Sequence, residues 1–220
     1  MRVVIAGGHG KIALRLERLL AARGDDAVGI IRNPDHTADV AAQGARAVVL
    51  DLEQSDVDAL AHEVQGADAV VFAAGAGPGS GTARKDTVDR AAAELLAEAA
   101  RAAGVSRYLL ISSMGAGADP PQGTDDVFAA YLRAKTASER ALRESGLDWT
   151  ILRPGRLTDG PGTGTVRLDE SVPRGSVPRD DVAAVLVALL DEPRTIGTTL
   201  EVVHGDSPIA DAVAAVASST

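Results

Sequence analysis

Tyr131 and Lys135 stand one helical turn apart in Tyr131-Leu-Arg-Ala-Lys135. That spacing puts a phenol and an ammonium on one helix face. A nearby positive charge favours the phenolate, so the pair is expected to bring the tyrosine below its usual pKa of about 10 and let it exchange a proton with a carbonyl or alcohol. Ser112 and Ser113 close an apolar run, Arg107 to Ile111, and either hydroxyl could hydrogen-bond the same substrate oxygen. A packing reading stands beside this one, with Tyr131 as half-buried filler and Lys135 solvated. Cation usage favours the chemistry. The chain has 22 Lys plus Arg, and Lys11, Lys85 and Lys135 are its only lysines. Where a positive charge merely solvates the surface the sequence uses arginine, and the two are not interchangeable at a tuned site.

A proton donor of this kind needs a second reactant, and the first residues suggest one. Val3 to Ala6 is a short apolar run, followed by Gly7, Gly8 and Gly10. Ile12, Leu16, Leu19 and Leu20 then recur at helical spacing among Arg15, Glu17 and Arg18. Strand, glycine turn and helix together receive a dinucleotide pyrophosphate. Free backbone N–H groups and the helix dipole attract the phosphates. Gly7 allows the tight turn, and Gly10 has no Cβ to hold the ligand off. The pattern is Gly-x-x-Gly-x-x-Ala, with Ala13 where a third glycine often stands. A second apolar run, Ala27 to Ile31, ends at Arg32-Asn33. An acid after this strand would bind a free ribose 2′-OH, whereas an arginine accommodates a 2′-phosphate. With Arg32 present and the acid missing, NADP(H) is preferred and NAD(H) remains an alternative.

The elements that must position these groups alternate. Apolar runs at 45–50, 68–74, 107–111, 148–152 and 199–203 are separated by helical patterns at about 34–43, 56–64, 85–103 and 180–190. The helix carrying Tyr131 and Lys135 stops near Gly146. The expected fold is α/β, a Rossmann-type doubly wound, mostly parallel sheet with helices on both faces and a small C-terminal cap region. A single domain over 1–220 is expected, with about 154–178 and 205–220 as small substrate-side elements. Within the first of these only Thr165 to Leu168 suggests a strand, and 210–220 reads as a weak helix. The glycine-rich stretch 75–82, at the end of the fourth strand, is either a loop over the cofactor or a plain connector.

Composition narrows the function. Hydrophobic residues make up 45% and aromatics 2%, so the core must be built from Ala, Val, Leu and Ile. A net charge of −9, without a Lys/Arg stripe, argues against nucleic acid as partner. The absence of cysteine excludes disulfides, thiol nucleophiles and Cys-ligated metals, and fits a reducing cytoplasm. His9, His36, His62 and His204 lack metal-ligand spacing, so no metal is expected. No apolar run approaches the length of a membrane span. A cytoplasmic protein is expected, a monomer or homodimer acting on a small molecule.

Taken jointly, Val4-Ile-Ala-Gly-Gly-His-Gly-Lys-Ile12, Ile31-Arg-Asn-Pro34, Asp51-Leu52, Gly104 to Tyr108, Ser112-Ser113, Lys135, Ser145 to Gly155 and Pro178 to Val182 resemble one family. It is the atypical short-chain dehydrogenase/reductases, and within them the small NAD(P)H-binding proteins related to flavin/biliverdin-IX-β reductase and the NAD(P)-sensing nitrogen-repression regulators. The resemblance runs from about Met1 to Pro208. It implies that Gly7, Gly8, His9, Gly10, Lys11 and Ile12 hold the pyrophosphate, and Arg32-Asn33 the 2′-phosphate. It further implies that Asp51-Leu52 contact adenine, Ala73-Ala74-Gly75 the ribose side, and Lys135 the nicotinamide ribose. Ser112 would join the cofactor side and Pro154 would line the nicotinamide pocket. Two departures stand out: Ala13 replaces a glycine, and Met114 sits where related extended members carry their catalytic serine.

The activity expected is NADPH-dependent hydride transfer to a small carbonyl, quinone or conjugated substrate. Tyr131 would be the acid, Lys135 its tuner and Ser113 the carbonyl polariser. A non-catalytic redox-sensing NADP(H) binder is the second reading, and a nucleotide-sugar epimerase the third.

Overall fold

The computed structural model describes residues 1–77, 79–120 and 122–218. Strand β1 (Arg2–Ala6) is buried throughout after its first residue. Its alternate side chains go to opposite faces, as a strand's period of two requires. Val3 and Ile5 join one apolar cluster, Val4 and Ala6 another, so the sheet is covered on both sides. Helix α1 (Lys11–Ala22) covers the first face with Ile12, Ala13, Leu16 and Leu20.

Parallel strand β2 (Asp26–Ile31) pairs Val4 with Val28 and Ala6 with Ile30. A 3-10 turn at Pro34–His36 and helix α2 (Thr37–Ala42) lead to β3 (Arg46–Val49). Helix α3 (Val57–Val64), capped by Asp56, returns the chain to β4 (Ala69–Phe72). A short turn α4 (Thr82–Arg84), a π-helical stretch Lys85–Ala91 and α5 (Ala92–Ala102) then form one continuous rod. After β5 (Arg107–Ile111) comes α6 (Asp126–Glu144), which carries Tyr131 and Lys135, and then β6 (Asp148–Pro154).

The remainder holds β7 (Arg156–Thr158), β8 (Thr165–Asp169), β9 (Ser176–Pro178), α7 (Arg179–Leu190), β10 (Thr198–His204), β11 (Ser207–Pro208) and α8 (Ile209–Ala217). Among the described residues the main sheet has the order β11-β8-β10-β6-β5-β4-β1-β2-β3. It is parallel except where β8 pairs antiparallel with β10 and β11. The winding reverses between β1 and β4. A crevice therefore opens at their carboxyl ends, the place where such sheets bind ligands.

Three details differ from the sequence-based expectations. The helix read as continuous from Lys85 is a π-helix over its first seven residues; no glycine or proline marks the change. The segment after Pro154 forms β7 and β9, paired as a separate two-stranded sheet, besides the expected β8. Helix α8 is well formed and packs on α7 and β8. The last two residues of the weak helix expected over 210–220, Ser219 and Thr220, lie outside the described residues.

Candidate functional site

The turn after β1 is built by three glycines with different tasks. Gly7 has φ +86°, and the Gly7 and Gly8 N–H groups both donate to the Ile30 carbonyl, at 3.1 and 2.8 Å. A Cβ on Gly7 would stand 2.5 Å from the Ala74 Cα, and one on Gly8 would stand 2.6 Å from the Gly29 Cα. Both residues are glycine because neighbouring backbone passes where a side chain would begin. Gly10 caps α1 with no side-chain hydrogen bond, and α1 has no acidic residue in its first turn. Helices α3 and α6, in contrast, are capped by Asp56 and Asp125. The start of α1 thus presents backbone N–H groups and a positive dipole end to the crevice, which suits an anionic diphosphate.

A cavity of about 580 Å³ runs from this turn across the strand ends. It brings together Gly7, His9, Gly10, Lys11, Ile12, Arg32, Asn33, Asp51, Leu52, Ala73, Ala74 and Gly75, all expected from sequence. Four of the expected cofactor residues fall outside it, of which Ser112 and Lys135 line a neighbouring cavity. Gly8 lies under the turn against Gly29. Pro154 is buried within β6, where its carbonyl accepts from the Met114 N–H. Leu157 reaches the cavity instead.

Arg84 and His36 line this cavity without having been foreseen. Glu53 Oε2 accepts from Arg32 Nη1 at 3.1 Å and from Arg84 Nη2 at 2.7 Å, while its Oε1 accepts from Thr87 at 2.7 Å. The Arg84 and Thr87 hydrogen bonds hold the Glu53 carboxyl below its ordinary range. Two guanidinium groups therefore converge where the sequence showed one. His36 stacks on His9 with ring centroids 3.5 Å apart, and His9 Nε2 is 2.8 Å from Asp39. Lys11 and Arg179 meet across the cavity on Asp159, at 2.8 and 2.7 Å.

A second cavity, of about 470 Å³, shares Ile12, Ala73, Ala74, Gly75, Gly77 and Leu157 with the first, so the two form one trough. Its far wall carries Tyr131, Lys135, Lys85 and Asp89. Lys135 Nζ donates to the Ile111 carbonyl at 3.0 Å and lies 3.5 Å from Asp89 Oδ1. Lys135 is 3% exposed and Asp89 1%. Burial lowers the Lys135 pKa, with Asp89 working against it.

This geometry corrects the expected tuning. The Lys135 charge is compensated by Asp89, and burial pushes the Tyr131 phenol up to about 12, with Ser113 opposing and Asp89 adding. Tyr131 is a protonated phenol at neutral pH, hence a proton donor and not a ready phenolate.

The two serines separate. Ser112 is buried, and its Oγ donates to Glu139 Oε1 at 2.6 Å. Glu139 also accepts from Arg153 Nε at 2.8 Å and from Arg143 at 3.0 Å. The Ser112 hydroxyl thus ties α6 to the sheet through Glu139, while the residue also lines the second cavity. Ser113 Oγ donates to the Met114 carbonyl at 3.4 Å, and its proximity to the Tyr131 phenol opposes the upward pKa shift that burial imposes. Among the described residues no group of three or more His, Asp or Glu is placed to hold a metal ion, and no helix is long and apolar enough to cross a membrane.

Residues 7–193 match the model of a family described as NAD(P)H-binding. An "Uncharacterized sugar epimerase" of Bacillus subtilis (strain 168) is 36% identical over 97% of this chain and 99% of its own length. Among solved structures, a "Putative NAD-dependent epimerase/dehydratase" from Bacillus halodurans is 37% identical, with a TM-score of 0.90 over 98% of this chain and 99% of its own. An anaerobillin reductase from Escherichia coli O157:H7 is 27% identical, with a TM-score of 0.79 over 94% and 98%.

Proposed function

The chain belongs to the NAD(P)H-binding family, and on that premise we propose that it is an NADPH-dependent reductase of a small carbonyl, quinone or conjugated acceptor. The observation that carries this reading is the continuity of the trough. The groove over the glycine turn opens, past Ile12, Ala73 and Ala74, directly onto Tyr131. NADPH, when bound, supplies the hydride.

The chain's own residues do the rest. The start of α1 receives the diphosphate, and Arg32 with Arg84 the 2′-phosphate. Asp51 and Leu52 border the adenine, Ala73 to Gly75 the ribose side, and Lys135 the nicotinamide ribose. Tyr131 donates its phenolic proton to the acceptor oxygen as negative charge develops there, with Ser113 orienting the hydroxyl. The phenolate left behind is flanked by the Lys85 and Lys135 ammonium groups, 5.4 and 5.9 Å from the ring centroid, and regains its proton from solvent. We place this activity in the reducing cytoplasm, on a small-molecule substrate.

Glu53 supports a second reading of the cofactor, because its carboxylate could accept from a free 2′-OH and so serve NAD(H). The epimerase names of two relatives suggest another reaction. Against it, Ile111, Val127 and Phe128 put an apolar patch beside the charged Lys85, Asp89 and Lys135 near Tyr131, which suits an acceptor with an apolar body better than a sugar.

The test is NADPH oxidation with a quinone, flavin and aldehyde panel, comparing the chain with Tyr131→Phe. If both cofactor forms bind, no acceptor oxidises NADPH and Tyr131→Phe changes nothing, the chain is a redox-sensing binder.

A further inference from the structure

Lys85 is a buried ammonium whose charge flanks the Tyr131 ring but whose N–H donors the proposed proton transfer does not use. It is 8% exposed, on the π-helical turn beside the second cavity. Its Nζ donates to the Gly77 carbonyl at 3.0 Å and stands 5.4 Å from the Tyr131 ring centroid. Among the described residues no carboxylate pairs with it, in contrast to Lys135.

The nearby acids are engaged elsewhere. Asp89 Oδ2 accepts from the Ala76 N–H at 3.2 Å, while among the described residues Oδ1 has no hydrogen-bond partner and faces Lys135 Nζ at 3.5 Å. Asp125 accepts from the Val127 and Phe128 N–H groups at 3.0 and 3.1 Å. An ammonium has three donors, and among the described residues Lys85 uses one. Burying a charge is costly unless a counter-charge and further hydrogen bonds meet it. The opposite side of the cavity is apolar. Phe128 stacks on Tyr131 with centroids 5.8 Å apart and is itself 48% exposed at the lip, next to the exposed Val127.

We propose that Lys85 anchors a carboxylate on the acceptor, whose apolar body lies against Phe128 and Tyr131. The inference rests on the reductase reading, since anchoring there presents the rest of the acceptor to Tyr131. Lys85 keeps its bond to Gly77 and gives its remaining N–H donors to the carboxylate. The substrate class is therefore an amphipathic monocarboxylate carrying the reducible group, and Lys85 sets specificity without exchanging a proton.

The test uses 2-naphthoate and its neutral counterpart 2-naphthamide, titrated calorimetrically into the full chain with and without NADP⁺. Naphthoate is expected to bind at least about tenfold more tightly than naphthamide, as a charge-assisted hydrogen bond supports. Lys85→Gln should remove that preference, Lys85→Arg should keep most of it, and both variants should bind NADPH normally. Equal binding of the two probes, binding of neither, or a preference that survives Lys85→Gln overturns the proposal. A naphthoate preference lost in Lys85→Gln, combined with no turnover of any acceptor, would leave the anchor standing and remove the reductase reading alone.

Discussion

Lys135 Nζ lies 3.5 Å from Asp89 Oδ1, with both side chains out of solvent. This pair decides what Tyr131 is able to do. A free ammonium one turn away would favour the phenolate, but a compensated one leaves burial in control, and the phenol stays protonated up to about 12. Turnover with NADPH should therefore show no loss on the alkaline side until the pH approaches that value. A fall centred well below 10 would show that Tyr131 titrates as a tuned phenolate or that another group is the acid. Tyr131→Phe should cut turnover by roughly 10² to 10⁴ while leaving NADPH affinity unchanged.

Arg32 and Arg84 share one carboxylate, Glu53, at 3.1 and 2.7 Å. An arriving 2′-phosphate would compete with Glu53 for both. Arg32→Ala and Arg84→Ala should each weaken NADPH binding by roughly tenfold to a hundredfold, as expected for charge-assisted contacts, and leave NADH binding nearly unchanged. Glu53→Gln should tighten NADPH binding. Fluorescence titration of both cofactors reads these outcomes. Equal losses for NADPH and NADH, or loss of NADH binding alone in Glu53→Gln, would favour the free 2′-OH reading.

Ser112 and Ser113 are adjacent but should fail differently. Ser112→Ala removes a hydrogen bond to the buried Glu139 carboxylate, a loss of about 1.5–3 kcal/mol in chemical denaturation, with turnover retained. Ser113→Ala should leave stability nearly intact and reduce turnover. The opposite pattern would return Ser112 to the reaction.

Glu17 is the stability switch of the glycine turn. Its side chain is 0% exposed, neither oxygen has a hydrogen-bond partner among the described residues, and a Cβ on Gly8 would come within 2.9 Å of Oε1. Burial raises its pKa from 4.5 to about 8. The folded chain thus holds this proton more tightly than the unfolded chain. Below 4.5 both states are protonated and Glu17 imposes no pH-dependent penalty. As the pH rises from 4.5 to 8 only the unfolded chain releases the proton, and stability falls by an amount on the order of a few kcal/mol. Chemical denaturation at pH 5.5, 7 and 8.5 should show this decline in the chain and not in Glu17→Gln. Parallel declines in both would mean that other groups cause it.

Most of the frame was legible because its signals are local. The alternation of Val3 and Ile5 with Val4 and Ala6, the glycine turn, and Arg32 at the end of β2 each depend on neighbours in sequence. Arg84 was not legible, because only the fold brings the start of the 82–102 rod to the end of β2. Tyr131 and Lys135 were found at their proper spacing, yet the pKa direction was misread. The counter-charge on Lys135 is Asp89, which belongs to another helix and carries no pattern of its own. The π-helical turn that aims Asp89 and Lys85 inward is likewise invisible, since seven residues cannot distinguish its period from that of an α-helix.

The most direct test is a crystal structure of the chain with NADPH. The diphosphate should lie at the start of α1, with the nicotinamide C4 facing Tyr131 across a gap wide enough for one acceptor carbonyl. An acceptor oxygen there should come within about 2.6–3.2 Å of the phenol. A nicotinamide turned away from Tyr131, or a dinucleotide bound outside the trough, would contradict the assignment.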